Sequence, residues 1–207
     1  MAEQVTVTGV EPAAQKKFRI FLDGEYAFFL YASEIRRFKI AEGSVLTREI
    51  LQKIRKECVC RHAVNKAMAL LKSMDRTEKE MRDRLRREGF PEYAVEEALA
   101  YVMSYGYVDD ASYAERFVYS RMDRLSVRVM RQKLLQKGIS ADLIEQALQE
   151  NEPDEEELLR QLIEKKTHGV IPEDPKEKQK LIRFLLGRGF SYSAVGRALQ
   201  ETVCEEF

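Results

Sequence analysis

The sequence predicts a mainly α-helical protein: an elongated array of three tandem three-helix repeats, preceded by a small N-terminal module that contains a β-hairpin. Three observations predict it. A block of residues recurs three times without an internal gap, at 85–99, 134–148 and 185–199. Aligned on Gly89, Gly138 and Gly189, the copies stand 49 and 51 residues apart, and self-similarity at such a period marks a modular architecture. Around each block, apolar residues fall at helical spacing, whereas the first 46 residues show strand alternation about an Asp-Gly pair.

Taken in order, Val5-Thr6-Val7-Thr8 alternates as a short strand does. Phe18–Leu22, Asp23-Gly24 and Glu25–Leu30 form a hairpin signal, because Asp-Gly suits a type I′ turn between strands. Ser33 to Lys39 reads as a short helix with Ile35 and Phe38 on one face. This segment is expected to cap the first repeat, with docking onto a partner as the alternative. From Thr47 to about Ser73 the pattern Ile50, Leu51, Ile54, Cys58, Ala63, Ala67, Leu70 is helical, as one long helix or two with a bend. Thr77-Glu78-Lys79-Glu80 is a capping box opening the next helix.

The repeated block then explains itself position by position. Met81/Leu85, Met130/Leu134 and Leu181/Leu185 are i, i+4 apolar pairs. The glycine ends that helix, where a positive φ is needed. Ser140 and Ser191 are placed to cap the following helix, and Pro91 takes the opening turn in the first copy. Asp109 and Asp110 precede a helix expected from Ala111 to about Arg124, and capping suits them better than a metal, since no third carboxylate is spaced to join them. Ser126 opens a helix to Lys137. Glu150–Glu157 is a linker with an acid-rich first turn, and helices near 176–188 and 191–203 finish the chain. The expected divisions are 1–46 (β-containing module), 47–66 (linking helix), and repeats at 67–108, 109–150 and 154–206.

Charge excludes a partner chosen by bulk attraction, because 35 basic and 35 acidic residues cancel. No apolar run approaches the roughly 20 residues needed to span a bilayer, and the opening Met1–Gln4 lacks the basic and apolar regions of a secretory leader. Cys58, Cys60 and Cys204 contain no CxxC, and His62 and His168 lie far apart. Reduced structural thiols in a cytoplasmic protein, without metal or cofactor, are expected. No phosphate-binding glycine-lysine loop, GxSxG elbow or HExxH occurs. The sequence therefore favours a binding module over an enzyme.

The motifs Leu-Arg-Arg-Glu-Gly-Phe (85–90), Gly-Tyr-Val-Asp-Asp-x-x-Tyr-Ala (106–114), Arg-Gln-Lys-Leu-Leu-Gln-Lys-Gly-Ile (131–139) and Phe-Leu-Leu-Gly-Arg-Gly-Phe-Ser-Tyr (184–192) resemble the RecX family of bacterial recombination regulators over roughly residues 60–200. The hairpin with Leu-Asp-Gly-Glu (22–25) is similar to the extension of longer members. Where members often carry a Gly/Pro-containing loop before an Arg-Ile-Arg-Gln-like run, this chain has Asp123–Met130. The resemblance implies a non-enzymatic regulator that lies in the groove of the RecA filament on single-stranded DNA, inhibits ATP hydrolysis and strand exchange, and promotes disassembly. Some members also bind DNA directly.

Between Ala114 and Gly138 the basic residues Arg116, Arg121, Arg124, Arg128, Arg131, Lys133 and Lys137 face only Glu115 and Asp123, a local excess of +5 on a neutral chain. Such a face can meet DNA phosphates, or acidic residues lining a filament groove, with Tyr119 beside it for stacking. An ordinary solvated helix face is the alternative. The group Arg82, Arg84, Arg86 and Arg87 is interleaved with acids and reads as helix pairing, and Arg188 and Arg197 are weaker candidates. A monomer that binds the RecA filament, or DNA directly, is the expectation.

Overall fold

In a computed structural model of the chain, which describes residues 4–13 and 16–204 and side chains as far as residue 200, Asp23 and Gly24 have φ of +50° and +91°. Two successive positive φ values are those of a type I′ turn. The turn joins β2 (Lys17–Leu22) to β3 (Glu25–Tyr31). With β1 (Gln4–Pro12) and β4 (Val45–Thr47) they form an antiparallel sheet in the order β3-β2-β1-β4. A short helix, α1 (Ala32–Phe38), follows β3. Residues Met1–Glu3 and the side chain of Cys204, on which the leader and thiol readings partly rest, lie outside the described residues.

Thr47 ends β4 and caps α2 (Arg48–Ile54), its hydroxyl accepting from the Ile50 N–H. Helix α2 continues through a π-helical segment, Arg55–Cys60, into α3 (Arg61–Leu71), and the backbone is right-handed helical at both junctions. The stretch from Thr47 is thus one continuous helix with a widened middle. Thr77 opens α4 (Glu78–Arg87) through the expected capping box: its hydroxyl accepts from the Glu80 N–H, and the Glu80 carboxylate accepts from its own N–H. Helix α5 (Glu92–Ser104) completes the first repeat.

The second repeat comprises α6 (Asp110–Tyr119), α7 (Val127–Gln136) and α8 (Ala141–Asn151). The third comprises α9 (Glu155–Thr167), α10 (Pro175–Gly187) and α11 (Tyr192–Cys204). Helix α6 stops five residues short of Arg124. Turns follow it, with Arg121, Met122, Arg124 and Leu125 donating main-chain N–H groups back over three or four residues, and Ser126 then starts α7 as an N-cap.

The three glycines build one turn. The Gly89, Gly138 and Gly189 φ angles are +86°, +88° and +102°. The glycine N–H reaches the carbonyl three residues back, and the next N–H reaches five back: Phe90 to Leu85, Ile139 to Leu134, Phe190 to Leu185. That is the Schellman pairing, with its usual apolar contact after the glycine. Phe90, Ile139 and Phe190 are accordingly buried, as are Leu85, Leu134 and Leu185.

Two compact units result, 1–109 and 110–207. In the first, the sheet and the first repeat share one core, from Ile20, Phe28 and Leu30 through Ile54 to Met81, Leu85 and Leu99. In the second, each repeat has its own core, Met130, Leu134, Ile139 and Ile144 in one and Ile163, Leu181, Leu185 and Phe190 in the other. Polar bonds join those two repeats. Ser126 N–H donates to the Arg188 carbonyl (3.1 Å), and the Arg188 guanidinium to the Arg124 carbonyl (3.3 Å).

Candidate functional site

Met130 and Leu134 turn one face of α7 into the core. At 100° per residue, Arg128 and Arg131 fall on one flank of that stripe and Lys133 on the other. The basic run is therefore divided by the fold. Arg131 is met by Glu145 of α8 in a two-pronged ion pair, both contacts 2.8 Å. The bond holds the Glu145 carboxyl below its ordinary value and the Arg131 guanidinium above it. Both side chains are nearly half exposed, so solvent screens the pair and it adds little to stability. Its larger effect is to cancel the charge of Arg131.

Arg128 points at the next repeat. Its Nε donates to the Gly189 carbonyl at 3.1 Å, and it lines a cleft of about 460 Å³ with Glu155, Arg160, Phe190 and Arg197. Glu155 sits at the start of α7, accepting from the Val127 N–H at 2.8 Å. The acid-rich first turn of α9 therefore lies against the basic helix, a proximity of residues 28 apart that no local pattern announces.

The remaining cations lie on α6, in the following turn and toward the end of α7. Arg121 stands over the Phe117 ring (5.9 Å) and Lys137 over Tyr113 (5.2 Å), the cation facing the negative side of the π system. Arg124 is beside Asp123 at 3.2 Å, and both are mostly exposed. Arg116 and Lys133 are exposed on α6 and α7, and so is Tyr119, at 71%. Among the described residues, Arg121, Lys133 and Arg128 of this run have no carboxylate within ion-pair distance, Arg128 being bonded to a neutral carbonyl instead. Point charges of this kind can meet phosphates or carboxylates. In the first unit Arg82 bonds Glu78 and Arg84 bonds Glu88 along α4, as expected of that group, but Arg82 also bonds Glu96 and Arg86 bonds Glu92, so part of the pairing runs across to α5.

Among the described residues no three His, Cys, Asp or Glu side chains are placed to hold a metal ion, and no helix is long and apolar enough to cross a membrane. The signal that sequence reasoning missed is Glu145, which sits fourteen residues from Arg131 on the facing helix.

Comparison with known proteins matches this arrangement along its length. Family models for the first, second and third three-helix domains of RecX match residues 63–101, 109–148 and 154–199. The regulatory protein RecX of Clostridium acetobutylicum is 30% identical, over 98% of this chain and 99% of its own. That of Caldanaerobacter subterraneus subsp. tengcongensis is 35% identical, over 90% of this chain and 93% of its own. A crystal structure of regulatory protein RecX superposes with a TM-score of 0.59 at 26% identity, covering 95% of this chain and 99% of that one. RecX from Lactobacillus salivarius superposes at 0.56 and 27%, covering 70% and 97%.

Proposed function

This chain belongs to the RecX family of regulatory proteins, and from that premise we propose that it inhibits the RecA recombinase by binding in the groove of the RecA filament on single-stranded DNA. It acts in the cytoplasm, as a monomer and without cofactor, slowing ATP hydrolysis and strand exchange and shortening the life of the filament. The reading draws on one observation above the family itself: a neutral chain keeps uncompensated positive charge at Arg121, Lys133 and Arg128 of the second repeat. A filament groove lined with acidic residues or exposed phosphates would attract that face. Charge placed there sets encounter rate and register more than final affinity.

The test is RecA ATP hydrolysis on single-stranded DNA with this protein added at several salt concentrations. Inhibition at amounts below one per recombinase, with much weaker affinity for bare DNA, is the expected result. Arg121→Glu with Lys133→Glu should abolish most of it, and unchanged inhibition by that variant removes this face of the second repeat as the contact. A second reading is supported by the same local excess of +5 and by the exposed ring of Tyr119: direct binding to DNA without the recombinase. It requires tight, steeply salt-dependent binding to DNA alone and no effect on RecA.

A further inference from the structure

A cavity of about 610 Å³ in the first unit takes no part in the reading above. It lies where β2 and β3 meet the glycine turn between α4 and α5. Its walls carry three cations, Lys17, Arg19 and Arg87, and three aromatic rings, Phe21, Tyr26 and Phe29.

The cations differ from their neighbours on α4. Arg82, Arg84 and Arg86 are each bonded to a glutamate. Lys17, Arg19 and Arg87 have no carboxylate within ion-pair distance among the described residues. Glu11 is the register partner of Arg19 across the sheet, yet no ion pair forms between them. The carboxylate on the cavity wall, Glu88, is already held by Lys66 (2.9 Å) and Arg84 (3.3 Å). An anion entering the cavity would therefore meet cations without first breaking an ion pair.

The aromatic side is fixed in advance. The Tyr26 hydroxyl donates to the Gly89 carbonyl (2.8 Å), and its ring stands edge-on to Phe21 at 6.0 Å. Lys17 Nζ lies 4.2 Å from the centre of the Phe29 ring. Tyr26 is nonetheless 43% exposed, so it offers a ring face whose conformational entropy is already lost. Cations beside a pre-set aromatic face suit a ligand with phosphates and flat bases at short spacing. An acidic peptide would use the charges and leave the ring idle.

We propose that this cavity is a binding site for single-stranded nucleic acid, with phosphates held by Arg19, Arg87 and Lys17 and a base stacked on Tyr26. The site is independent of the second repeat and of RecA.

The experiment is fluorescence anisotropy of a labelled oligodeoxythymidine of about twelve nucleotides, within the reach of one single-strand groove, titrated with the full chain across salt concentrations. Arg19→Gln with Arg87→Gln should weaken binding at least about tenfold and lower the slope of log affinity on log salt by about 1.4, which is about 0.7 for each phosphate left without its cation. Tyr26→Leu should weaken it about tenfold with the slope unchanged, while Tyr26→Phe, which keeps the ring and loses only its bond to Gly89, retains most of the binding. Arg121→Glu with Lys133→Glu should leave this binding intact, which separates the site from the proposed filament contact. A matching oligouridylate distinguishes RNA from DNA as the occupant; either one binding, with the substitutions acting as stated, supports the site. No binding by the parent chain, or equal binding by the Arg19→Gln, Arg87→Gln variant, overturns the proposal. So does polyglutamate competing as well as the strand while Tyr26→Leu binds normally.

Discussion

Gly189→Ala should damage the second unit far more than a turn glycine normally does. The residue has φ +102°, where an L side chain loses roughly 1–2 kcal/mol. An added Cβ would also overlap Ser126 Oγ and Val129 Cγ2, and stand 3.1 Å from Val129 Cβ. Crowding of that kind costs about 1–3 kcal/mol. Ser126 is buried and caps α7 by accepting from the Val129 N–H at 3.4 Å, so moving its hydroxyl forfeits about 1 kcal/mol more. The three losses overlap, and together they come to about 3–5 kcal/mol. Gly169→Ala is the control: it lies in the same unit with φ +86° and nothing within 4 Å of its added Cβ, so only the about 1–2 kcal/mol of backbone strain applies. Urea unfolding followed by circular dichroism, with hydrogen exchange assigning the loss to residues 110–207, gives both values. Equal losses for the two variants would refute the claim that Gly189 is required for close approach of the third repeat to the second.

Three further outcomes are expected. Burial holds the His62 imidazole below its ordinary value, although Glu34, 2.8 Å away, pulls it upward. A histidine so depressed binds its proton more readily when unfolded. The first unit should therefore be fully stable above pH about 6.5 and lose stability as pH falls below it. Nuclear magnetic resonance titration should place His62 below that value, and Glu34→Gln should lower it further; a rise would contradict this. Thr77→Ala removes a buried hydroxyl that closes a capping box and should cost about 1–2 kcal/mol, with Thr77→Ser retaining most of it in thermal unfolding. The buried Cys58 thiol is pushed up to about 12, chiefly by burial and then by Glu34. Iodoacetamide at mildly alkaline pH should leave it unmodified in the folded chain, as peptide mass spectrometry would read.

What the sequence makes legible is local chemistry with a unique solution. Asp23-Gly24, the Thr77–Glu80 box and the three turn glycines each satisfy backbone groups within a few residues, and each stands where its pattern predicts. Strand β4 is not legible, because Val45–Thr47 is too short to show alternation and exists by pairing with Gln4–Thr6. The early end of α6 is equally hidden, since Arg121 and Arg124 are good helix formers and the chain turns there to bring Ser126 against Arg188. The candidate site shows the same division. Its positive residues can be counted in the sequence, but which of them keep their charge depends on Glu145, Gly189 and Glu155, supplied by other helices and turns. The cavity by Tyr26 needs residues 63 apart, Tyr26 and Gly89, to meet.

The π-helical segment Arg55–Cys60 sets an angle as well as a length. Such a segment holds one residue more than a regular helix would over the same rise, and each residue turns the side-chain direction by about 100°. Ile54 before it, Cys58 and Val59 within it and Ala63 after it all reach one core. Deleting a single residue there would restore a uniform α-helix and rotate α2, with the strand that leads into it, by more than a quarter revolution against α3. The segment thus works as a phase adjuster between the sheet and the first repeat. An N-terminal sheet grafted from a relative keeps its orientation only if it brings its own copy of these six residues.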